Sequence, residues 1–198
     1  MHFLPVGPHA LLVEVDDAGA ARSLAAWVRT QRLDAVDVVP AARTVLLDGI
    51  ADVAAVREAV RGWDPAVEPA HGALVEIPVR YDGPDLAFVA EHWGVSEDDV
   101  VAAHGEIEFV ASFCGFAPGF SYLAGLPDDR SVPRLDSPRA RIPSGSVALA
   151  GTWCGVYPTE SPGGWRILGH TDVVLWDADS PEPALLPPGT RVRFVAAP

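Results

Sequence analysis
The sequence predicts an α+β protein in which a small α/β unit precedes an all-β barrel or sandwich. Three observations predict it. Strand-like runs alternate with two helical patterns over the first 75 residues. From Phe109 onward, short apolar runs alternate with Gly/Pro turns. The chain of 198 residues, 49% apolar and 21% charged, has enough apolar side chains for one large domain or two small ones. The domains are expected at 1–75 and 76–198, with the chain crossing between them near His71-Gly72.

The first strand is Ala10-Leu11-Leu12-Val13-Glu14-Val15, entered through Pro8. Ala18 to Arg32 is Ala-rich and predicts a helix, with Leu24, Trp27, Val28 and Leu33 near helical spacing. Val36 to Val39 and Thr44 to Leu47 predict two strands, separated by Pro40-Ala41-Ala42. Asp52 to Trp63 predicts a second helix, because Val53, Val56 and Val60 share a face and Asp52 is placed to cap it. Strand, helix, two strands, helix and strand is the order of a split β-α-β, ferredoxin-like unit. His2, His9 and His71 are isolated, and no catalytic constellation lies in this half.

The second half opens with the alternating strand Ala73 to Tyr81. Gly83-Pro84-Asp85 introduces a helix through Glu91, and Ser96-Glu97-Asp98-Asp99 has the spacing of a capping box for another, ending near His104. Apolar runs follow at Phe113–Phe120, Pro133–Pro143, Val147–Ala150, Gly155–Pro158, Trp165–Leu168 and Val173–Trp176, and Arg191 to Val195 closes the pattern. Many short strands with frequent turns suit a barrel or sandwich.

Charge and composition exclude several chemistries. The net charge is −13, which disfavours phosphate backbones as partners. All 14 basic residues are arginine. Without lysine there is no P-loop lysine, no Schiff base and no biotin attachment. No apolar run approaches a membrane span, and Met1-His2-Phe3-Leu4-Pro5 is unlike a signal peptide, so a cytoplasmic location is expected. The two cysteines, Cys114 and Cys154, are expected as thiols. Either is a nucleophile with His104 or His170 as base, or a buried inert thiol. No H-E-x-x-H or paired C-x-x-C occurs, so no metal site is expected, and Gly119-Phe120-Ser121 lacks the last glycine of a nucleophile elbow.

Three stretches concentrate the chemistry. In Phe113 to Leu123, the residues Gly115, Pro118 and Gly119 specify tight backbone geometry between aromatics. These aromatics either line a pocket for a flat or apolar ligand or fill a barrel corner. In Pro138 to Val147, Arg139 and Arg141 flank Ser144-Gly145-Ser146. This is either an anion site, with guanidinium forks and turn N–H groups, or a surface arginine pair beside an ordinary turn. In Tyr157 to Trp165, Gly163 and Gly164 permit close backbone approach and Trp165 is placed to wall a cleft.

Taken in order, these stretches resemble the KipI/PxpB family, the type of the 5-oxoprolinase B subunit or allophanate hydrolase subunit 1. The family pattern G-F-x-P-G-F-x-Y-L is similar to Gly115–Leu123, P-R-x-x-[IV]-P-[SA]-G-S-V-A-[LI]-A-G to Pro138–Gly151, and G-[VI]-Y-P-x-x-S-P-G-G-W to Gly155–Trp165. Ile77-Pro78-Val79-Arg80-Tyr81 and Gly83-Pro84-Asp85-Leu86 fit too, and the resemblance covers nearly the whole chain. Three positions depart from it. His170 stands where arginine is common, Cys154 where threonine is common, and Gly105-Glu106 follows His104 where His-Thr is frequent.

The resemblance implies an N-terminal ferredoxin-like domain and a C-terminal cyclophilin-like β-barrel. It implies the role of the B subunit in an ATP-dependent 5-oxoprolinase, beside a homologous barrel protein of the allophanate hydrolase subunit 2 type, its C subunit, and a third protein, its A subunit. The related roles in the family are the carboxyltransferase half of a urea carboxylase and an inhibitor of a sporulation histidine kinase. The expected site is one cleft made by the Phe116–Tyr122 turn, the Arg139–Ser146 segment and the Ser161–Trp165 loop. Arg139 or Arg141 is expected to hold an anionic group, Ser146 to steady an oxyanion and His104 to carry a proton. Phe116, Phe120 and Trp165 are expected to exclude water. Gly115, Pro118, Gly119, Tyr122, Ser144, Gly145, Ser161, Gly163 and Gly164 complete the substrate-binding set.

Overall fold
In a computed structural model that describes residues 1–66 and 72–198, the chain divides into two units, Met1–His71 and Gly72–Pro198. His71 lies outside the described residues.

The first unit contains β1 (His2–Pro5), β2 (Ala10–Glu14), α1 (Ala18–Gln31), β3 (Asp37–Pro40), β4 (Thr44–Asp48) and α2 (Val53–Val60). Local chemistry sets the helix starts: Asp17 accepts from the Ala20 N–H at 2.8 Å, and Asp52 from the Ala55 N–H at 3.0 Å. The sheet runs β1-β2-β4-β3 with every pair antiparallel. Leu11 and Val13 of β2 and Val45 and Leu47 of β4 join Leu24, Val28, Val56 and Val60 of the helices in one core, as a period of two requires. β1 has no counterpart in the sequence expectation, because four residues carry too short an alternation to stand out. It takes the edge beside β2. The strand that follows α2, β5 (Leu74–Val79), pairs in the second unit instead.

The second unit continues with α3 (Leu86–Trp93), α4 (Glu97–Glu106), β6 (Phe109–Cys114), β7 (Ser121–Ala124), β8 (Arg139–Ile142), β9 (Ser146–Ala150), β10 (Trp153–Val156), β11 (Ser161–Gly163), β12 (Arg166–His170) and β13 (Arg191–Ala196). The capping box forms as its spacing predicts, with Ser96 and Asp99 exchanging bonds. Seven strands make a nearly closed barrel-like sheet, β12-β9-β10-β7-β6-β13-β5, in which only β13 and β5 run parallel. Its two ends meet through Arg80, just past β5. The Arg80 N–H donates to the His170 carbonyl at 2.9 Å, and the His170 N–H returns to the Arg80 carbonyl at 2.9 Å. The Gly83 and Asp85 N–H groups continue the seam, donating to the carbonyls of Leu168 and Ile167. Val173–Trp176, expected as a strand, pairs only through an isolated bridge from Trp176 to Ala184.

β9 is buried along its whole length, which explains its unbroken apolar run. Val147 and Leu149 face the main core, where Leu86, Val89, Val100 and His104 from the two helices also pack. Ala148 and Ala150 face the other way, toward Phe120, Ile142, Tyr157 and Trp165. That second cluster lies under a separate ribbon of β8 and β11.

Candidate functional site
The β8–β11 ribbon decides the geometry of the site. Strand alternation puts Arg139 and Arg141 on one face of β8 and Ile142 on the other. The ribbon therefore separates two hollows. One is a largely apolar cleft of about 520 Å³ with charged side chains in its wall: Asp82, Arg139, Arg141 and His170 stand beside Pro84, Pro143 and Ile167. The other is an aromatic hollow of about 360 Å³, walled by Phe116, Phe120, Tyr122, Arg134, Tyr157 and Trp165. The single cleft expected from sequence is thus divided, because Ile142 is fully buried among the aromatics and anchors the ribbon between the two.

The cleft wall rests on a carboxylate. Asp85 precedes α3 but makes no side-chain cap bond there. It accepts from the Ile167 N–H at 2.8 Å, and its oxygens lie 2.9 and 3.0 Å from the two terminal nitrogens of Arg139. Arg166 approaches the same carboxylate at 3.5 Å while stacking over Phe88, 3.6 Å from the ring centre. One carboxylate shared by two guanidinium groups leaves this wall with a net positive charge. Arg139 is therefore a strut of the wall: one terminal nitrogen donates to Asp85 and the other lies at ion-pair distance from it. Arg141 is different. It pairs with Glu160 at 2.9 Å in the open, with 79% of its side chain exposed. An exposed pair of this kind is worth about 0–1 kcal/mol and releases its arginine readily.

The serines are committed. Ser146 is 3% exposed, and its hydroxyl donates to the Pro143 carbonyl at 2.8 Å; Ser144 donates to the Pro158 carbonyl at 2.8 Å. Gly145 sits at φ +81°, and a side chain there would collide with the Thr171 carbonyl, so this turn requires glycine.

In the aromatic hollow, Phe120 meets Phe116, Tyr122, Tyr157 and Trp165 edge-on at centroid distances of 5.1–5.4 Å. Phe116 stands at φ +70° and remains 58% exposed. Gly119 backs onto Leu175 and Trp176, Gly163 onto the Tyr157 hydroxyl, and the Gly164 carbonyl accepts from the Leu135 N–H at 2.8 Å. Gly115 and Pro118 shape the turn between β6 and β7, and Ser161 donates to the Thr159 carbonyl at 3.3 Å. Burial pushes the Tyr157 hydroxyl above its ordinary pKa.

His104 is not brought to either hollow. It is fully buried on α4, where Phe109 and Phe194 pack on its ring. Its nitrogens contact the Tyr81 hydroxyl at 2.7 Å and the Cys154 sulfur at 3.4 Å. Desolvation pulls its pKa from 6.5 to about 3, so it stays neutral, and burial pushes the Tyr81 hydroxyl and the Cys154 thiol up. The helical spacing of α4 does not reveal this, because a histidine on an apolar face reads alike as ligand or as core. Asp82 in the cleft wall, and Asp85 and Arg166 behind it, were not among the site residues expected from sequence. The available signal was Asp82-Gly83-Pro84-Asp85, two carboxylates around a turn beside a strand end. Their partners lie more than 50 residues away.

Among the described residues, no three His, Cys, Asp or Glu side chains converge as a metal site, and no helix is long and apolar enough to cross a membrane.

The family described as carboxyltransferase domain, subdomain C and D, matches residues 1–186. The chain is 41% identical to the 5-oxoprolinase B subunit of Escherichia coli O157:H7, across 96% of this chain and 93% of that protein. It superposes on the crystal structure of TTHA0988 with a TM-score of 0.82 and 34% identity, over 96% of this chain; the chain spans 40% of that longer protein. The urea carboxylase of Kluyveromyces lactis shares the fold at a TM-score of 0.75 and 17% identity, over 99% of this chain and 22% of that one.

Proposed function
We infer the activity from one premise: the chain belongs to the family of the carboxyltransferase domain, subdomain C and D. We propose that it is the B subunit of an assembly that opens 5-oxo-L-proline to L-glutamate with hydrolysis of ATP. It works beside a homologous barrel protein, the C subunit, and a third protein, the A subunit, in the cytoplasm, and is inactive alone. The observation that carries the substrate class is the pairing of cationic Arg139 and Arg141 with the carboxylate of Asp82 in the wall of one largely apolar cleft of about 520 Å³. A cyclic amide bearing a carboxylate matches both: an anion for a guanidinium and a ring N–H for a carboxylate. Arg141 takes the substrate carboxylate by leaving Glu160, while Arg139 and Asp85 keep the wall in shape.

ATP does not fit the residues of this chain. Of the two cleft arginines, Arg139 is held by Asp85 and Arg141 is assigned to the substrate carboxylate, and there is no lysine to add to them. The nucleotide site belongs to the partner proteins in this proposal, and no step of the chemistry passes through it here. The first unit is read as a ferredoxin-like variant in which β1 fills the fourth strand's place, and the second as a cyclophilin-like barrel. The β-strand order of each supports this reading.

The test is co-expression with candidate C and A subunits and an assay for ATP-dependent glutamate from 5-oxoproline. Glutamate formed only in the presence of this chain is expected. A stable complex that makes no glutamate but carboxylates urea would replace the proposal with the carboxyltransferase role. Failure to bind either candidate, with binding to a histidine kinase, would replace it with the inhibitor role.

A further inference from the structure
Three side chains outside the cleft expected from sequence meet where the barrel closes. Arg80 and His170 face each other across the paired backbone bonds of the seam. The chain is tight on both sides: a side chain at Gly169 would strike the Arg80 carbonyl, and one at Gly83 the Ile167 carbonyl. Side chains mounted on backbone this closely packed are held in place before any ligand arrives.

The side chains form a chain of contacts. His170 Nδ1 lies 2.7 Å from Asp82 Oδ1, and Arg80 Nε lies 3.0 Å from His170 Nε2. A guanidinium has donors only, so Nε2 accepts, and the ring proton sits on Nδ1 and is donated to Asp82. The imidazole thus bridges a cation and a carboxylate. Asp172 balances the outer side of Arg80 at 3.6 Å. The hydroxyls of Ser144 and Ser146 are already donating and Arg139 is already paired. Asp82, with 60% of its side chain exposed, is the carboxylate in the cleft wall that retains a free oxygen.

We propose that Asp82 is a catalytic base of the cleft and that His170 and Arg80 are positioning residues that aim its carboxylate. The inference rests on the cyclic-amide reading above. A water molecule gives its proton to Asp82 as its oxygen bonds to the amide carbon. The carbon–nitrogen bond breaks with its electron pair on nitrogen, and nitrogen takes the proton back from Asp82. The sum is one water added to one amide. Arg141 takes the anionic end beside Arg139, which Asp85 holds from behind.

Two measurements test this. The first is nitrogen-15 NMR of the histidine side chains in the full chain, with His170 assigned by His170→Gln. His170 is expected as Nδ1–H in the wild type and to return to the common Nε2–H form in Arg80→Ala, where Nε2 no longer has to accept. An Nε2–H ring in the wild type, or no change in Arg80→Ala, overturns the positioning role. The second is turnover in the reconstituted assembly. Asp82→Asn should lower kcat about 10²- to 10³-fold with KM nearly unchanged. Asp82→Glu should recover part of the loss, and His170→Gln should fall between. Asp179→Asn, an exposed acid outside the cleft, should match the wild type. More than half of wild-type turnover in Asp82→Asn overturns the base. A wild-type assembly that forms no glutamate overturns the 5-oxoproline reading and the base together. The NMR result, which needs no substrate, then separately upholds or overturns the Asp82–His170–Arg80 relay.

Discussion

Replacing His104 by glutamine should flatten the acid side of this protein's stability curve. In the folded chain the ring is buried against Phe109 and Phe194, and its pKa falls from 6.5 to about 3. The unfolded chain therefore binds a proton below pH 6.5 that the folded chain refuses. The contribution is fully present above pH 6.5, is lost as pH falls from 6.5 toward 3, and is flat below. Each pH unit in that window costs about 1.4 kcal/mol. His104 alone should make the protein about 2 kcal/mol less stable at pH 5 than at pH 7, approaching about 5 kcal/mol near pH 3. Urea unfolding of wild type and His104→Gln at half-unit pH intervals from 7 to 5 measures this as a difference of slopes, in which the other titrating groups cancel. The variant should be less stable at pH 7, through lost packing, yet lose about 2 kcal/mol less on acidification. Parallel curves for the two proteins would refute a neutral buried imidazole.

Asp85→Ala should destabilise the chain by about 3–5 kcal/mol, because it leaves Arg139 and Arg166 without their shared carboxylate in a largely buried setting; thermal unfolding checks it. Gly145→Ala should cost about 2 kcal/mol or more, since φ is +81° and the added carbon meets the Thr171 carbonyl, while Gly94→Ala, with open space, should cost only the left-handed backbone penalty of about 1 kcal/mol. Of the two thiols, Cys114 should react with a disulfide reagent in the native protein and Cys154 only on unfolding, read by mass spectrometry of the labelled peptides. Arg141→Ala should raise KM for 5-oxoproline with little change in melting temperature, whereas Arg139→Ala should lower both activity and melting temperature, because Arg141 is paired in the open and Arg139 beside a buried acid.

Much of the fold was legible locally. Asp17, Asp52 and Ser96 start helices through bonds to residues three positions on, so a linear pattern contains the whole signal. The apolar run of β9 was legible as a strand, but not that both of its faces are buried. His2–Pro5 was not legible, because an edge strand of four residues takes its conformation from the strand it joins. The structure shows what Gly145 and Arg139 do locally: the turn needs φ +81° and Arg139 meets Asp85. Sequence spacing says that Arg139 and Arg141 share a face, but not that one is spent on Asp85 and the other is held only at the surface.

What the sequence determined by itself is therefore short-range: caps, strand period, the absence of lysine chemistry and the family to which the motifs belong. The tertiary structure alone decided that His104 goes into the core, that β8 and β11 split one expected cleft into two, and that Asp82 meets His170, 88 residues away. The physical reason is closure of the barrel. Its backbone bonds join Arg80 to His170, and no local preference of either residue encodes which distant strand end it will face.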